Sequence, residues 1–152
     1  MEKDKILDVE KKKRELKRYK KNLACINRLE EKLFALDERI RSVRSPNYSG
    51  MPKSSDRITT EDLIADKIEL EERINRLVSK GRKLKSEILE EIDSIEDYRY
   101  CEILEAFFID RMTIEEIAEK KGYTPRHAYR LYSEAVTLLA LRCHKEDSSQ
   151  TY

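Results

Sequence analysis

A chain of 152 residues has room for one domain or two small ones. Charged residues make up 41%, aromatics only 7%, Trp is absent and the mean hydropathy is −0.78. That composition excludes a single broad globular core and suits long, narrow helices whose polar faces stay wet. The formal net charge is only +1, so any basic surface must be local.

Residues 1–22 hold ten Lys or Arg against five acids. A run of this kind serves as a nucleic-acid arm, as a solvated helix end, or as the partner of the acidic stretch 87–119, where twelve acids face two arginines. From Leu16 the apolar residues are Tyr19, Leu23, Ile26, Leu29, Leu33, Leu36, Ile40 and Val43. Steps of three and four predict a coiled-coil-like helix, with one slip at Ile26–Leu29 that widens the stripe.

Pro46, Gly50, Pro52 and five Ser or Asn mark 45–58 as an irregular linker. Its Tyr48 and Met51 either dock on the hairpin tip or await a partner. Thr59 and Asp62 form a capping-box pattern. The next helix carries Leu63, Leu70, Leu77 and Leu84 in one column and Ile74, Ile88 and Ile95 in another. Gly81 within it marks a kink or a close approach. Two helices of similar length around a short linker predict an antiparallel hairpin over 1–96.

Asp97 then reads as the cap of a helix Tyr98 to Ile109, whose Leu104, Phe107 and Phe108 would pack under the two helices of residues 113–141. Thr113 with Glu116 is another capping box. Gly122 sits where a left-handed stop is needed. Thr124 caps the last helix, and Pro125 occupies its first position, where a missing N–H costs nothing. Ala128, Leu131, Ala135 and Leu138 or Leu139 give that helix one apolar face. Small Ala118 and Ala128 let the two helices cross closely. Residues 97–145 thus read as a helix-turn-helix domain, with a polar tail, 146–152, after it.

On the outer face of the second helix, 125–141, stand Arg126, His127, Tyr129, Arg130 and Ser133. In a helix-turn-helix such positions enter a major groove, where arginine reaches guanine in bidentate fashion. Between 120 and 145 six Lys or Arg face one acid. Lys120, Lys121, Thr124 and Lys145 are the expected phosphate contacts.

Leu104, Phe108, Met112-Thr113, Glu115-Glu116-Ile117-Ala118, Gly122, Thr124, Ala128, Leu131 and Ala135 resemble region 4 of sigma-70-like factors. More narrowly, the chain resembles phage late-transcription regulators of the ArpU/RinA type, which join a charged helical half to such a C-terminus. The linker Ser45-Pro46-Asn47-Tyr48-Ser49-Gly50-Met51-Pro52 is similar to one found in those proteins. Two positions depart from the pattern. Arg111 stands where glycine is usual, so the turn before Thr113 is expected to differ. Tyr132 stands where a charged residue is common.

Cys25, Cys101 and Cys143 are odd in number and widely spaced, which argues for a reducing cytoplasm rather than disulfides or zinc. Adjacent Cys143 and His144 fall short of a metal-ligand set. The charged N-terminus reads as no signal peptide, and no apolar run reaches membrane length. No phosphate-binding loop, dinucleotide fingerprint or zinc-protease motif is present, and the carboxylates alternate with Lys and Arg as on a wet helix face. The expectation is an all-α non-enzyme without cofactor, a sequence-specific DNA-binding transcription regulator, and the resemblance implies a phage or prophage origin. Its partners would be double-stranded DNA, a second copy in a homodimer, and RNA polymerase, with no membrane. The rivals are a small terminase subunit and a purely structural coiled-coil protein.

Overall fold

The computed structural model describes residues 2–44 and 59–147; for Arg44 and 143–147 only the helical backbone is described. The linker residues Tyr48 and Met51, expected to dock on the hairpin tip or await a partner, lie outside the described residues. The fold is all-α. Its helices are α1 Glu2–Leu16, α2 Arg18–Arg44, α3 Thr60–Asp93, α4 Tyr98–Phe108, α5 Ile114–Lys121 and α6 Pro125–Asp147. Among the described residues no helix is long and apolar enough to cross a membrane.

Only Lys17 separates α1 from α2, and the backbone ladder persists there through bonds from Lys17 to Lys13 and from Lys21 to Lys17. Arg18 Nε donates to the Glu15 carbonyl at 2.9 Å. A side chain entering the ladder is a recognised cause of helix bending. The first turn of α2 still packs with α1, since Tyr19 lies against the same buried cluster as Leu16.

Contacts divide the chain into two compact units, one of Met1–Lys21 with Arg82–Tyr152, the other of Asn22–Gly81. We call them the composite unit and the hairpin unit. Sequence periodicity instead puts a boundary at 96/97, because it follows where helices end. Packing ignores those ends. Leu16 of α1 and Ile88, Ile92 and Ile95 from the α3 end are buried in one cluster with Ile103, Leu104 and Phe108 of α4, and with residues of α5 and α6.

In the composite unit α6 is the hub, packed on α1, α4 and α5. Ala128, Leu131, Ala135 and Leu139 are buried on it as the periodicity predicts, joined by Val136 and Ala140. The wider buried face reflects α1, which packs on α6 as well. Lys12 of α1 is only 4% exposed, its Nζ 2.6 Å from Glu91 and 3.5 Å from Glu15. Lys20 sits over the Phe107 ring at 3.8 Å, and burial, then Lys17 and Arg111, hold its pKa below the usual lysine value. Of the uses open to the basic N-terminal stretch, pairing with the acidic segment is the one Lys12 makes.

The hairpin unit is simpler. Asn22 Nδ2 donates to the Leu77 carbonyl at 3.0 Å and Lys67 pairs with Asp37 at 2.8 Å. Rising numbers on α2 meet falling numbers on α3, so the two helices are antiparallel. Ile26, Leu29 and Ile74 form the buried cluster, with Leu23, Leu33, Leu70, Leu77 and Val78 half-buried around it. The slip at Ile26–Leu29 coincides with the sealed part of the stripe. Val43, at the predicted end of that stripe, is 52% exposed. The predicted reciprocal box forms at the start of α3, Asp62 N to Thr59 Oγ1 at 3.2 Å and Thr59 N to Asp62 Oδ2 at 3.3 Å. Gly81 breaks nothing; α3 runs through it and it is buried.

Candidate nucleic-acid interface

The candidate surface is the outer face of α5 and α6, and local chemistry fixes both helices. Asp97 caps α4, accepting from Arg99 N at 3.0 Å. The chain then turns through Arg111, whose φ is +61°. This is the left-handed region, which glycine occupies without strain. Arginine holds this conformation at a cost of about 1–2 kcal/mol by steric crowding of its Cβ. Bonds from Asp110 N to the Glu105 carbonyl and from Met112 N to the Ala106 carbonyl, both 3.0 Å, hold the turn.

The capping box of α5 is complete, with Glu116 N donating to Thr113 Oγ1 at 3.2 Å and Thr113 N to Glu116 Oε2 at 2.8 Å. Gly122 ends α5 at φ +70°, ψ +26°. Tyr123 N donates to the Ala118 carbonyl at 2.8 Å and Gly122 N to the Glu119 carbonyl at 3.4 Å. That pair of bonds is the Schellman pattern, which satisfies the last carbonyls of a helix. Thr124 Oγ1 accepts from His127 N at 3.2 Å, capping α6. Ala118 and Ala128, at 1% and 0% exposure, are both buried in the core that α5 and α6 share.

Arg126, Tyr129, Arg130 and Ser133 are exposed on α6, and His127 is half-buried. They differ in how far they are already committed. Arg126 and Lys120 have no ion-pair or hydrogen-bond partner among the described residues. Arg130 Nη2 lies 3.0 Å from His127 Nδ1, and its Nε lies 4.0 Å from Glu134. A guanidinium cannot accept, so Nδ1 is the acceptor and the imidazole proton resides on Nε2. The imidazole also meets the Tyr123 ring edge-on, with centroids 5.0 Å apart.

Tyr129 donates its hydroxyl to Glu115 Oε1 at 2.9 Å, tying α6 to the start of α5. That bond is the main reason its pKa rises above the usual phenol value. Glu115 is held below the usual carboxylate range, first by a backbone amide and then by Tyr129. A carboxylate therefore sits within the candidate face. Glu134 also accepts from Tyr100 at 2.8 Å.

The predicted phosphate contacts separate in the same way. Thr124 is exposed but already caps α6; Lys121 pairs with Glu102 at 3.1 Å. Arg142, part of the basic count, instead donates to the Ser94 carbonyl at 2.6 Å. The Lys145 side chain, like those of Cys143 and His144, lies outside the described residues. Tyr132 faces inward, 4.8 Å from Phe107 and 6.0 Å from Phe108 between centroids. Burial, then Glu10, raises its pKa. Sequence reasoning missed the Glu115–Tyr129 and Tyr100–Glu134 links, which join residues remote in sequence and leave no local signal.

A family model described as a protein of unknown function (DUF1492) matches residues 43–140. The chain belongs to the DUF1492 family. The matched stretch runs from the end of α2 into α6, so it takes in every residue of the α5–turn–α6 surface up to Ala140 and leaves out α1. Neither a search of curated proteins nor a search of solved structures returned a match.

Proposed function

We propose that this DUF1492 protein is a sequence-specific DNA-binding transcription regulator of phage or prophage origin, related in role to the ArpU/RinA-type regulators that its sequence resembles. One observation supports the reading above the others. The α5–turn–α6 unit has each of its caps made, and this leaves the unpartnered Arg126 guanidinium exposed on the first turn of α6. The early turns of a recognition helix are where base-edge contacts are made. In this reading Arg126 and Arg130 read base edges, His127 presents its Nε2 proton, and Tyr129 and Ser133 flank them. Lys120, Lys121, Thr124 and Lys145 face phosphates. Lys121 would exchange Glu102 for a phosphate, and the carboxylate of Glu115 would be placed to accept from a cytosine amino group. The hairpin unit would set the oligomeric state, as a homodimer presenting two reading surfaces, or contact RNA polymerase in the cytoplasm.

The test is to select bound fragments from random duplex DNA and titrate the selected site. Arg126→Ala and Arg130→Ala should each weaken it by roughly 1–3 kcal/mol. Lys120→Ala should instead lower the log–log salt slope by about 0.9 with little change in sequence preference. Wild-type affinity in both arginine variants would remove α6 from the role. A ring of many subunits would favour the small terminase subunit, and no DNA affinity at low salt would favour a structural coiled-coil protein.

A further inference from the structure

The hairpin unit treats its two flanks differently. On one, charges pair across the helices, Lys67 with Asp37 at 2.8 Å. On the other, a groove runs between α2 and α3 with Ala35, Leu36 and Leu70 in it. Lys32 and Arg39 line it from α2, Asp66 and Glu69 from α3. None of these four has an ion-pair partner among the described residues. Charges of opposite sign thus border one apolar strip without neutralising each other.

We propose that this groove is the face on which a second copy of the chain docks, with the two hairpins related by a two-fold axis parallel to their helices. Such an axis lays α2 of one copy over α3 of the other, antiparallel, as in a four-helix bundle. The basic border of each copy then faces the acidic border of its mate. Rotation about an axis across the helices would place like on like. The register agrees. Counting from the Asn22–Leu77 and Asp37–Lys67 contacts, Lys32 is level with 67–72 of α3, a stretch centred on Glu69. Arg39 is level with 60–65, within a turn of Asp66. The rotation preserves level along the axis, so Lys32 of one copy meets Glu69 of the other, and Arg39 meets Asp66. Arg73, which also lines the α3 border, falls level with 26–31, where Arg28, Glu30 and Glu31 are all exposed, and it adds no pair to this set. The apolar strip supplies attraction and the borders supply orientation, the usual division at interfaces. This inference rests on the hairpin alone and survives failure of the DNA reading.

The full-length chain should sediment as a dimer. Arg39→Glu should weaken the dimer at least about tenfold through two new like-charge contacts, and Asp66→Arg should do the same. An equimolar mixture of these two variants should associate again, because each hetero-pair contains one native and one swapped contact. That rescue separates contact between copies from repulsion within one, which mixing cannot relieve. Circular dichroism keeps loss of folding apart from loss of association, and the double variant Arg39→Glu/Asp66→Arg should also dimerise. Phe34→Ala is the control, since Phe34 is 69% exposed and falls roughly 200° around α2 from Lys32. A monomeric wild type, a dimer indifferent to both reversals, absence of rescue on mixing, or a dimer lost through Phe34→Ala alone would overturn the proposal.

Discussion

The hairpin unit and the composite unit are built from similar helices yet sealed to different depths. Two helices meeting along one stripe bury Leu29 completely but leave Leu23, Leu33, Leu70 and Leu77 half-buried. Where α1 and the end of α3 join α4, α5 and α6, Leu16, Ile92, Leu104, Phe108, Ala128, Ala135 and Val136 all reach 0% exposure. Depth of burial tracks the number of helices that converge, since a pair can cover only one stripe of each other. The composite unit also carries the specific chemistry: two caps with left-handed turns beside them, a buried lysine paired with carboxylates, and side-chain bonds that join its helices. A rigid platform is what a precise recognition surface needs. The hairpin unit keeps its half-covered stripe and the charges of its groove on the outside.

The largest test of this contrast is Phe108→Ala, expected to cost about 3–5 kcal/mol in urea unfolding, as for an aromatic in a close-packed core. Ile74→Ala, at 8% exposure in the hairpin, should fall near the lower end of the roughly 2–5 kcal/mol range for aliphatic truncation. Equal costs would dissolve the distinction. Leu16→Ala should cost about 2–5 kcal/mol and lower the melting temperature of α4–α6, although Leu16 is remote from them in sequence. If only α1 lost structure, as monitored by hydrogen exchange, α1 would be an appendage rather than a wall of the composite unit.

Smaller effects come from the two left-handed positions. Apart from its chain neighbours, nothing lies within 4 Å of where a side chain at Gly122 would begin, so Gly122→Ala tests backbone strain and should cost about 1–2 kcal/mol. Arg111→Gly removes the same strain at φ +61° but gives the unfolded chain more freedom, so a gain of at most about 1 kcal/mol is expected. A loss there would mean that the arginine side chain is itself stabilising. The smallest effect is a pH dependence at Asp97, whose carboxylate is held below its ordinary pKa by Arg99. A carboxylate with a depressed folded pKa stabilises above its unfolded value and loses that contribution as pH falls through the folded one. The difference in melting temperature between wild type and Asp97→Asn should therefore shrink as pH falls through and below the carboxylate range.

Local chemistry was readable in advance. The boxes at Thr59–Asp62 and Thr113–Glu116, the cap at Asp97 and the stop at Gly122 depend on residues two to four apart, and all formed as their residue types require. The buried face of α6 was half readable. Its stripe was evident, but Val136, Ala140 and the inward Tyr132 owe their burial to helices arriving from elsewhere. The missing neighbour left a trace that periodicity holds: Val9 precedes Leu16 by one heptad, and both pack in the composite core. The pairing of Lys12 with Glu91 also followed a readable contrast between a basic and an acidic run, but the ion pairs around the candidate face left no such trace. Which of Lys120, Lys121, Arg126 and Arg142 stay available is decided by Glu102 and Ser94, residues far away along the chain, so a count of charges overstates the basicity of the face.

The meeting of α1 with α6 bears on how the protein is made. The first and last described helices are neighbours in space, so the core of the composite unit lacks a wall until α6 has left the ribosome. The hairpin unit needs only residues 22–81 and can close while the rest is still being synthesised. During that interval the apolar residues of α1, Val9 and Leu16, have no α6 to cover them. The order of emergence thus assigns the hairpin the early role and makes the N-terminal helix wait for the C-terminal one. Stalled nascent chains of increasing length should show protection within 22–81 before any in 2–16, and the reverse order would mean that α1 finds cover before α6 exists.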